Sequence, residues 1–300
     1  MDAPRHSAVV TVMIGAARKA ARGLLRDFNE VEHLQVSKKG PADFVSAADR
    51  KAEKVIGEEL KRARPEFGLL MEETGETGGG LADEHRFIVD PLDGTTNFLH
   101  GLPHWAISIA YEQKGRIAAG VIFDPVKNEL FWTEKGKGAY LNDRRLRVSA
   151  RRDLTQALLA TGIPYAGKPG HDALLRDLVK ITNRVAGIRR FGSAALDLAY
   201  VAAGRYDGFW ERGLSPWDMA AGILMVREAG GTVTDVLGGP DILETGSVLA
   251  ANADLHDPVR KLLRSAARAG EAARKSASAA EGTASAKENG DGDGDGAADA

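Results

Sequence analysis

The feature that most constrains the fold is a stretch in which an apolar segment runs directly into two closely spaced aspartates. Residues 86–89 (Arg-Phe-Ile-Val) form a short apolar run typical of a buried strand, and Asp90 follows at once. Pro91 fixes its own φ and lacks an amide hydrogen, so we expect the strand to end near Asp90. Asp93 then lies across a tight turn from Asp90. The chain is therefore predicted to bring two carboxylates into one corner as it leaves a sheet.

The residues after Asp93 favour an anion at the same corner. Gly94 allows the backbone to approach a ligand closely. Thr95 and Thr96 suit the first turn of a helix, where free amide groups attract an anion. An ordinary turn uses the same residue types, with Asp forming the turn and Thr capping the helix. Their order after a buried strand favours a divalent cation held against a phosphate group.

Two segments of the chain resemble the signatures of a known family. Residues 90–101 (DPLDGTTNFLHG) resemble the first signature of the inositol monophosphatase family of Mg²⁺-dependent, lithium-sensitive sugar phosphatases. Residues 217–222 (WDMAAG), continuing to 228–231 (EAGG), are similar to its second signature. The resemblance runs from about residue 5 to about residue 265. It implies the α/β (α+β) class and a layered αβαβα sugar-phosphatase fold, with two sheets sandwiched between helices.

The resemblance also implies a set of oxygen ligands for two or three Mg²⁺ ions per site: Glu72, Asp90, the Leu92 carbonyl, Asp93 and Asp218. The first ion would lie between Glu72, Asp90 and the Leu92 carbonyl, with Glu72 also near a third ion. The second ion would lie among Asp90, Asp93 and Asp218. Mg²⁺ prefers hard oxygen ligands of this kind, and a pair of ions can clamp both the attacking and the leaving oxygen.

Glu72 and Asp218 each have a simpler interpretation. Taken alone, Glu72 belongs to an acidic surface loop after a short strand at residues 68–71, and Asp218 caps a helix beside the buried anchor Trp217. The predicted neighbouring strand end at Asp90 favours a ligand role for Glu72, and the second signature favours one for Asp218. Met71 stands where the family usually has glycine, a departure that bears on the backbone path of this loop but leaves the ligand oxygen in place.

By resemblance, a phosphate monoester is hydrolysed by a metal-activated water attacking in line. Glu72, Thr95 and Asp49 would be the catalytic residues, since in the family the matching aspartate accepts a hydrogen bond from the signature threonine. The Gly94 and Thr95 amides would hold phosphate oxygens. Lys38, or equally its neighbour Lys39, resembles a family lysine on a mobile loop near the metals.

Substrate binding is the role of a further group by resemblance. Glu211 resembles the family carboxylate that accepts hydrogen bonds from inositol hydroxyls, and residues 192–194 resemble a backbone segment lining the same pocket. The substrate-binding set is Asp93, Gly94, Thr95, Ser193, Ala194, Glu211 and Asp218. The favoured substrate is myo-inositol 1-phosphate. The alternatives are histidinol phosphate, fructose 1,6-bisphosphate or a 3′(2′),5′-bisphosphate nucleotide.

The composition of the chain excludes several kinds of site and argues against several kinds of partner. The chain has no cysteine, which excludes disulfides, thiol catalysis and Cys-ligated metal sites. A net charge of −2 offers no global attraction to nucleic acid or to an anionic membrane. The apolar run near the N-terminus is soon broken by Arg18 and Lys19, so we expect no export signal or membrane span and a cytoplasmic location.

The sequence also leads to predictions about how the chain is divided into parts and which partners it binds. Residues 1–150 are predicted to form an α+β half carrying the metal and phosphate signature, residues 151–265 an α/β half with the substrate side, and residues 266–300 a disordered tail. The resemblance implies a homodimer. A local basic cluster, which we interpret first as an exposed hairpin, leaves open an additional non-catalytic role with RNA or transcription factors: Arg144, Arg145, Arg147, Arg151 and Arg152.

Overall fold

The computed structural model describes residues 6–30, 36–40 and 43–288. Within these ranges the helices are α1 (Ala8–Asn29), α2 (Ala47–Ala63), α3 (Thr95–Leu99), α4 (His171–Ile181), α5 (Ala194–Ala202), α6 (Pro216–Glu228), α7 (Ile242–Thr245) and α8 (Ala253–Glu288). Single 3-10 turns lie at Leu154–Gln156 and Thr182–Arg184. No helix in the described part of the chain combines the length and the apolar character needed to cross a bilayer.

The strands alternate with these helices. They are β1 (Val36–Gly40), β2 (Asp43–Ser46), β3 (Gly68–Met71), β4 (Gly75–Thr77), β5 (His85–Asp93), β6 (Ala106–Gln113), β7 (Arg116–Asp124), β8 (Glu129–Glu134), β9 (Gly138–Leu141), β10 (Arg144–Arg145), β11 (Leu158–Thr161), β12 (Gly187–Arg189), β13 (Gly208–Arg212), β14 (Thr232–Thr234) and β15 (Ser247–Ala251). Strands β1 and β2 form a separate antiparallel pair.

Two large sheets carry the fold. The first has eight strands in the order β10-β9-β8-β7-β6-β5-β3-β4 and is antiparallel except where β3 runs parallel to β5. The second has five strands in the order β12-β11-β13-β15-β14. In it β11 is parallel to both β12 and β13, whereas β15 is antiparallel to its neighbours. Where two neighbouring strands are parallel, both end at the same edge of the sheet.

Helices separate and cover the sheets, which produces five layers. Helices α1 and α2 pack together against one face of the eight-stranded sheet. Helices α5 and α6 lie between the two sheets, and α4 and α8 pack together on the far side of the five-stranded sheet. The expected αβαβα layering, with both sheets sandwiched between helices, is confirmed.

The middle layer draws its core from both halves of the chain. Ile88 and Phe131 of the first sheet share one buried cluster with Phe209 of the second sheet and Ala221 of α6. Helix α6 is apolar all round, as expected of a helix with sheets on both sides. An added methyl group at Gly120 of β7 would come within 2.9 Å of the Ala221 Cα, so this glycine allows α6 to lie directly on the sheet. The residues on either side of position 150 therefore form one continuous core.

The structure differs from the sequence-based expectation at strand β5. The strand was expected to end near Asp90, but it continues to Asp93. Asp90 pairs with Ser108 of β6 and Asp93 pairs with Ala106, so Pro91 and Leu92 form an irregularity in the ladder. A proline is tolerated in a strand at such a bulge because no ladder hydrogen bond is required of it there.

The sequence predicts a disordered tail from residue 266, whereas in the structure α8 continues through residues 266–288 to Glu288. Ala266 is still buried, and Gly270 lies against the Arg176 side chain of α4. The segment beyond is rich in alanine, which has the highest intrinsic helix propensity and therefore extends a helix that packing has already started. Residues 289–300 lie outside the described residues.

Candidate active site

Glu72 and Asp90 reach the same place because their strands are parallel neighbours. Met71 of β3 pairs with Val89 of β5, and the Glu72 amide donates to the Val89 carbonyl at 3.2 Å. Glu72 and Asp90, which follow this pair on their two strands, therefore lie side by side. Met71 is buried and regularly paired, so its replacement of the family's usual glycine does not divert the backbone.

The irregularity in β5 holds Asp90 and turns the chain toward Asp93. The Leu92 amide donates to Asp90 Oδ1 at 2.9 Å, so the Asp90 side chain itself spans the bulge. Only 2% of Asp90 is exposed. Asp93 is half-buried and lies at the end of the strand, where the chain turns into α3.

Asp93 is positioned by a helix from the other half of the chain. Ser193 Oγ donates to Asp93 Oδ2 at 2.6 Å, and the Ala195 amide donates to the same oxygen at 2.7 Å. Ser193 is also the N-cap of α5, where its side chain accepts from the Leu196 amide. The helix start that was predicted to line the substrate pocket therefore also orients a candidate metal ligand.

Asp218 combines a structural role with a position at the site. It lies in the first turn of α6 and forms a capping box, in which the Ser215 amide donates to Asp218 Oδ2 at 2.7 Å. The helix starts at Pro216, two residues before the predicted start at Asp218. Trp217, expected to be a buried anchor, is only partly buried, because it packs on the core with one side and lines a cleft with the other.

Thr95 joins the metal corner to helix α2. Its hydroxyl lies 3.0 Å from Asp49 Oδ1 and 3.0 Å from the Leu92 carbonyl oxygen, so it donates to one of these acceptors. Asp49 is buried in the first turn of α2. Gly94, which precedes Thr95, has φ +98°, and a methyl group added to it would lie 3.1 Å from the His104 carbonyl oxygen. Both the backbone conformation and the space available therefore require glycine there.

Burial raises the pKa values of the acidic side chains at the corner, and neighbouring acidic groups raise those of Asp90 and Asp218 further. Burial first, and then the charges of Glu72, Asp93 and Asp218, raise the pKa of Asp90 well above its usual range. Burial and the neighbouring Asp93 raise the pKa of Asp218 to about 8. Burial raises the pKa of Asp93 to about 6, against the opposing effect of its hydrogen bonds from α5, including the Ala194 amide. Among the described residues, Lys168 is a basic side chain that opposes this effect, since its charge lowers the pKa of Asp218.

Glu211 extends this acidic region along β13. Burial, followed by the charges of Asp218 and Asp93, raises its pKa to about 8, while Arg190 acts in the opposite direction. Glu211 borders a cleft of about 520 Å³ that also contains Glu72 and Asp218. The candidate metal corner and the candidate substrate acceptor therefore open into one space.

The similarity of this chain to known proteins agrees with the geometry. Residues 6–268 match the inositol monophosphatase family. The chain belongs to this family. It is 56% identical over 259 residues to a protein of Rhizobium meliloti (strain 1021) named inositol-1-monophosphatase, covering 86% of this chain and 97% of that relative. It is therefore a phosphatase, a hydrolase of the inositol monophosphatase family.

Other members of the family carry a different kind of name. An Escherichia coli (strain K12) protein named Nus factor SuhB is 46% identical over 244 residues, covering 81% of this chain and 91% of the relative. The crystal structure of the extragenic suppressor protein suhB from Bartonella henselae has 60% sequence identity and a TM-score of 0.83, and covers 86% of this chain and 98% of that one. The Bartonella henselae structure shares the fold described above.

Inositol monophosphatase family members are metal-dependent, and the donor chemistry of the acidic corner fits a hard cation. Across residues 6–30, 36–40 and 43–288, no three acidic or histidine side chains already converge at coordination distance. Asp90, Asp93 and Asp218 each accept a hydrogen bond from within the protein on one oxygen. Because their like charges also repel, a cation would draw these side chains together and relieve the repulsion.

Sequence reasoning missed part of the cleft wall. Ile163, Pro164, Tyr165 and Lys168 line the cleft, and Lys168 lowers the pKa of Asp218. The signal was available, because these residues follow the carboxyl end of β11, where ligands commonly bind in parallel sheets. The side chains of Lys38 and Lys39 lie outside the described part of the structure.

Proposed function

We propose that this protein hydrolyses myo-inositol 1-phosphate, or a closely similar sugar or polyol monophosphate, using two or three Mg²⁺ ions. The observation that carries the proposal is the meeting of Asp90, Asp93 and Asp218 at one corner, where burial and neighbouring acidic groups, including Glu72, raise the pKa values of Asp90 and Asp218. Buried carboxylates with unbalanced charge are unfavourable unless a proton or a cation neutralises them. A phosphatase of this family uses such a site to bind cations next to a phosphate.

The residues that would hold Mg²⁺ are those that meet at the corner: Glu72, Asp90, the Leu92 carbonyl, Asp93 and Asp218. Bound Mg²⁺ would neutralise charge on the phosphate and on the attacking and leaving oxygens. The charges of the other three side chains all raise the pKa of Asp90. Asp90 would therefore help to hold both the first and the second ion.

Two further groups of residues would position water and phosphate. The Thr95 hydroxyl, when it donates to Asp49, presents its lone pairs to a water on the opposite side. Glu72 would polarise the same water from the β3 edge. The Gly94 and Thr95 amides precede the first hydrogen-bonded turn of α3 and would hold phosphate oxygens. Helix α3 has only five residues, so the individual amides, rather than a helix dipole, would provide this binding.

Glu211, together with Ser193 and Ala194, would bind the hydroxyl side of the substrate. A buried acceptor discriminates against substrates that lack the matching hydroxyl, because the acceptor is then left without a partner. This feature favours a polyol monophosphate over histidinol phosphate, fructose 1,6-bisphosphate or a 3′(2′),5′-bisphosphate nucleotide.

A phosphatase assay across these substrates tests the proposal. Protein freed of metal by a chelator and then desalted should release phosphate only after Mg²⁺ is restored, fastest from inositol 1-phosphate, and Li⁺ should inhibit it. Competition between inositol 1-phosphate and each alternative at equal concentration ranks the substrates. Failure to hydrolyse any phosphate monoester with Mg²⁺ present would refute the proposal.

A second role, in addition to hydrolysis, is favoured by one observation. Relatives named Nus factor SuhB are 46% identical to this chain, and a basic segment is exposed on the surface. That segment comprises Arg144, Arg145, Arg147, Arg151 and Arg152. Arg144 and Arg145 form the edge strand β10, as the expected hairpin requires, while Arg151 and Arg152 pair with Asp207 and Asp254. Binding to RNA that weakens steeply with salt would support this role, and no binding at low salt would exclude RNA as the partner.

We also propose that the protein is a cytoplasmic homodimer. Leu102 is 53% exposed and Phe191 is 45% exposed, and both lie next to Asn97, which accepts from the Leu102 amide and donates to the Phe191 carbonyl. Exposed apolar side chains close together are typical of an interface. Light scattering coupled to size exclusion should give twice the chain mass for the native protein, whereas a monomeric mass would contradict the assignment.

A further inference from the structure

We propose that Gly162 is a positioning residue for substrate specificity: its lack of a side chain leaves the space in which the Glu211 carboxyl group lies. The inference rests on the proposed function, because it assumes that Glu211 accepts hydrogen bonds from substrate hydroxyls. Gly162 follows β11 and belongs to neither family signature.

The register of the second sheet places the two residues side by side. Strands β11 and β13 are parallel, and Thr161 pairs with Trp210. The Thr161 hydroxyl, buried here, donates to the Trp210 carbonyl at 2.7 Å, which holds the register at that point. The next residue on each strand is Gly162 and Glu211, and side chains at matching positions of parallel strands point to the same face.

Glu211 occupies the volume that a side chain at position 162 would need. A Cβ atom added to Gly162 would overlap the carboxyl carbon of Glu211 and both of its carboxylate oxygens. The φ angle of Gly162 lies outside the positive range that only glycine adopts readily. Glycine is therefore required at this position for space rather than for backbone conformation.

Two spaces of very different size border Glu211. The void that it shares with Thr161, Gly162 and Leu174 measures about 10 Å³, which is at most the space of one water. The cleft that it shares with Glu72 and Asp218 measures about 520 Å³. A methyl group at position 162 would push the carboxyl group into the space where the substrate binds.

The charges around Glu211 make this movement unfavourable. Asp218 and Asp93 already raise its pKa, and Arg190 is the basic residue that opposes them. Asp197, with 1% exposure, is also close enough for Glu211 to raise its pKa. Asp197 Oδ1 receives no hydrogen bond from any described residue. Moving Glu211 among these acidic groups would change both the position and the energy of the acceptor.

The test is Gly162→Ala, assayed with Mg²⁺ on two substrates. For inositol 1-phosphate, KM should rise about tenfold or more, because a misplaced acceptor no longer matches the hydroxyl. For p-nitrophenyl phosphate, whose leaving group carries no polyol hydroxyls, kcat/KM should stay within about twofold. An equal loss on both substrates, or no loss on either, would overturn the proposal.

Gly23→Ala is the matched control. The same methyl group is added to a glycine of α1 where, apart from the adjacent residues and the backbone of the helix itself, no atom lies within 4 Å of the new Cβ. It should leave the kinetics of both substrates unchanged, which shows that the effect at position 162 does not come from the exchange of glycine for alanine alone.

A double-mutant cycle isolates the contact. In a Glu211→Ala background no carboxyl group remains to be displaced, so adding Gly162→Ala should change neither KM nor melting temperature further. If Gly162→Ala alone fails to fold, recovery of folding in the double variant supports the overlap. An effect of Gly162→Ala that persists unchanged without the Glu211 carboxyl group contradicts it.

A crystal structure separates this inference from the proposed function. If the native protein hydrolyses neither substrate, the proposed function fails, but the position of Glu211 can still be compared between the native protein and Gly162→Ala. A carboxyl group displaced toward the cleft supports the positioning role of Gly162. A carboxyl group in its native place overturns it.

Discussion

The two ends of strand β13 each carry an acidic residue, and their surroundings are opposite. At the amino end, Asp207 is buried among hydrogen-bond donors: the Ser149 hydroxyl, Arg151 Nη1 at 3.2 Å and the Leu158 amide at 2.7 Å. At the carboxyl end, Glu211 faces other acidic groups, and its pKa rises to about 8. The same strand thus presents one carboxylate that the protein neutralises and one that it does not.

The different surroundings of Asp207 and Glu211 distinguish a carboxylate that stabilises the fold from one that is a candidate for a functional role. A buried carboxylate supplied with donors stabilises the fold, because its charge is compensated within the chain. A buried carboxylate among other carboxylates destabilises the ionised fold unless a proton or a cation neutralises it, which makes such a residue a candidate for a functional role. Asp90 and Asp218 belong with Glu211 because neighbouring acidic groups raise their pKa values, whereas Asp207 belongs with the structural group.

The largest expected effect comes from Asp90→Asn. Its carboxamide oxygen can still accept from the Leu92 amide, so the fold should be retained, but the central negative charge of the corner is lost. We expect kcat/KM to fall about 10³-fold or more, or at least ~4 kcal/mol of transition-state stabilisation. The measurements are Mg²⁺-dependent kinetics and thermal melting. Near-native turnover would remove Asp90 from the metal site.

The substitution Asp207→Asn, at the amino end of β13, should have the opposite outcome to Asp90→Asn: stability should fall and activity should be retained. The amide group would place donors against the Leu158 amide or against Ser149 and Arg151, so the free energy of unfolding should fall by about 2–3 kcal/mol. Turnover of the folded protein should stay within about twofold. Urea denaturation and kinetics measure the two effects. If Asp207→Asn lost activity without losing stability, Asp207 could not be assigned a structural role in contrast to Glu211.

The pH dependence of the melting temperature should show a smaller effect, which comes from the acidic groups of the candidate site. Asp218 and Glu211 have folded-state pKa values of about 8, above the ordinary values of 3.8 and 4.5. The folded protein therefore holds more protons than the unfolded chain between these limits, and its stability falls as pH rises. With chelator present, the melting temperature should drop by a few degrees from about pH 6.5 to 8.5.

Mg²⁺ should reverse this trend, because a bound cation replaces the protons on the acidic groups. Stabilisation by Mg²⁺ should therefore be greater at pH 8.5 than at pH 6.5. The variant that combines Glu211→Gln with Asp218→Asn should show a flatter pH dependence in chelator. A melting temperature that rises with pH in the native protein under chelator, across this window, would contradict the assigned charges.

The smallest expected effect is that of Ser193→Ala. The change removes the hydroxyl that donates to Asp93 Oδ2, but the Ala195 amide still donates to the same oxygen. We expect turnover to fall about threefold to tenfold and stability to fall by about 1 kcal/mol from the lost helix cap. Ser193→Thr, which restores a hydroxyl, should recover most of both. A loss as large as that of Asp90→Asn would show that Ser193 has a more direct role.

Much of the site could be predicted from the sequence because its signals are local. An apolar run, a proline and two aspartates followed by Gly-Thr-Thr predict a strand that delivers carboxylates to a helix start, and the structure confirms β5 followed by α3. The strand end was placed too early because the bulge that accommodates Pro91 depends on pairing with β6. The end of α8 was also missed, since low apolar content was weighed more heavily than the helix propensity of alanine.

By itself, the sequence determined which residue types stand at each turn and helix start, because backbone preferences and capping act over a few residues. Only the tertiary structure decided which of these turns meet. The pairing of Met71 with Val89 brings Glu72 to Asp90, and the pairing of Thr161 with Trp210 brings Gly162 to Glu211. Register between strands distant in the chain depends on the packing of the whole core, so no local pattern contains it.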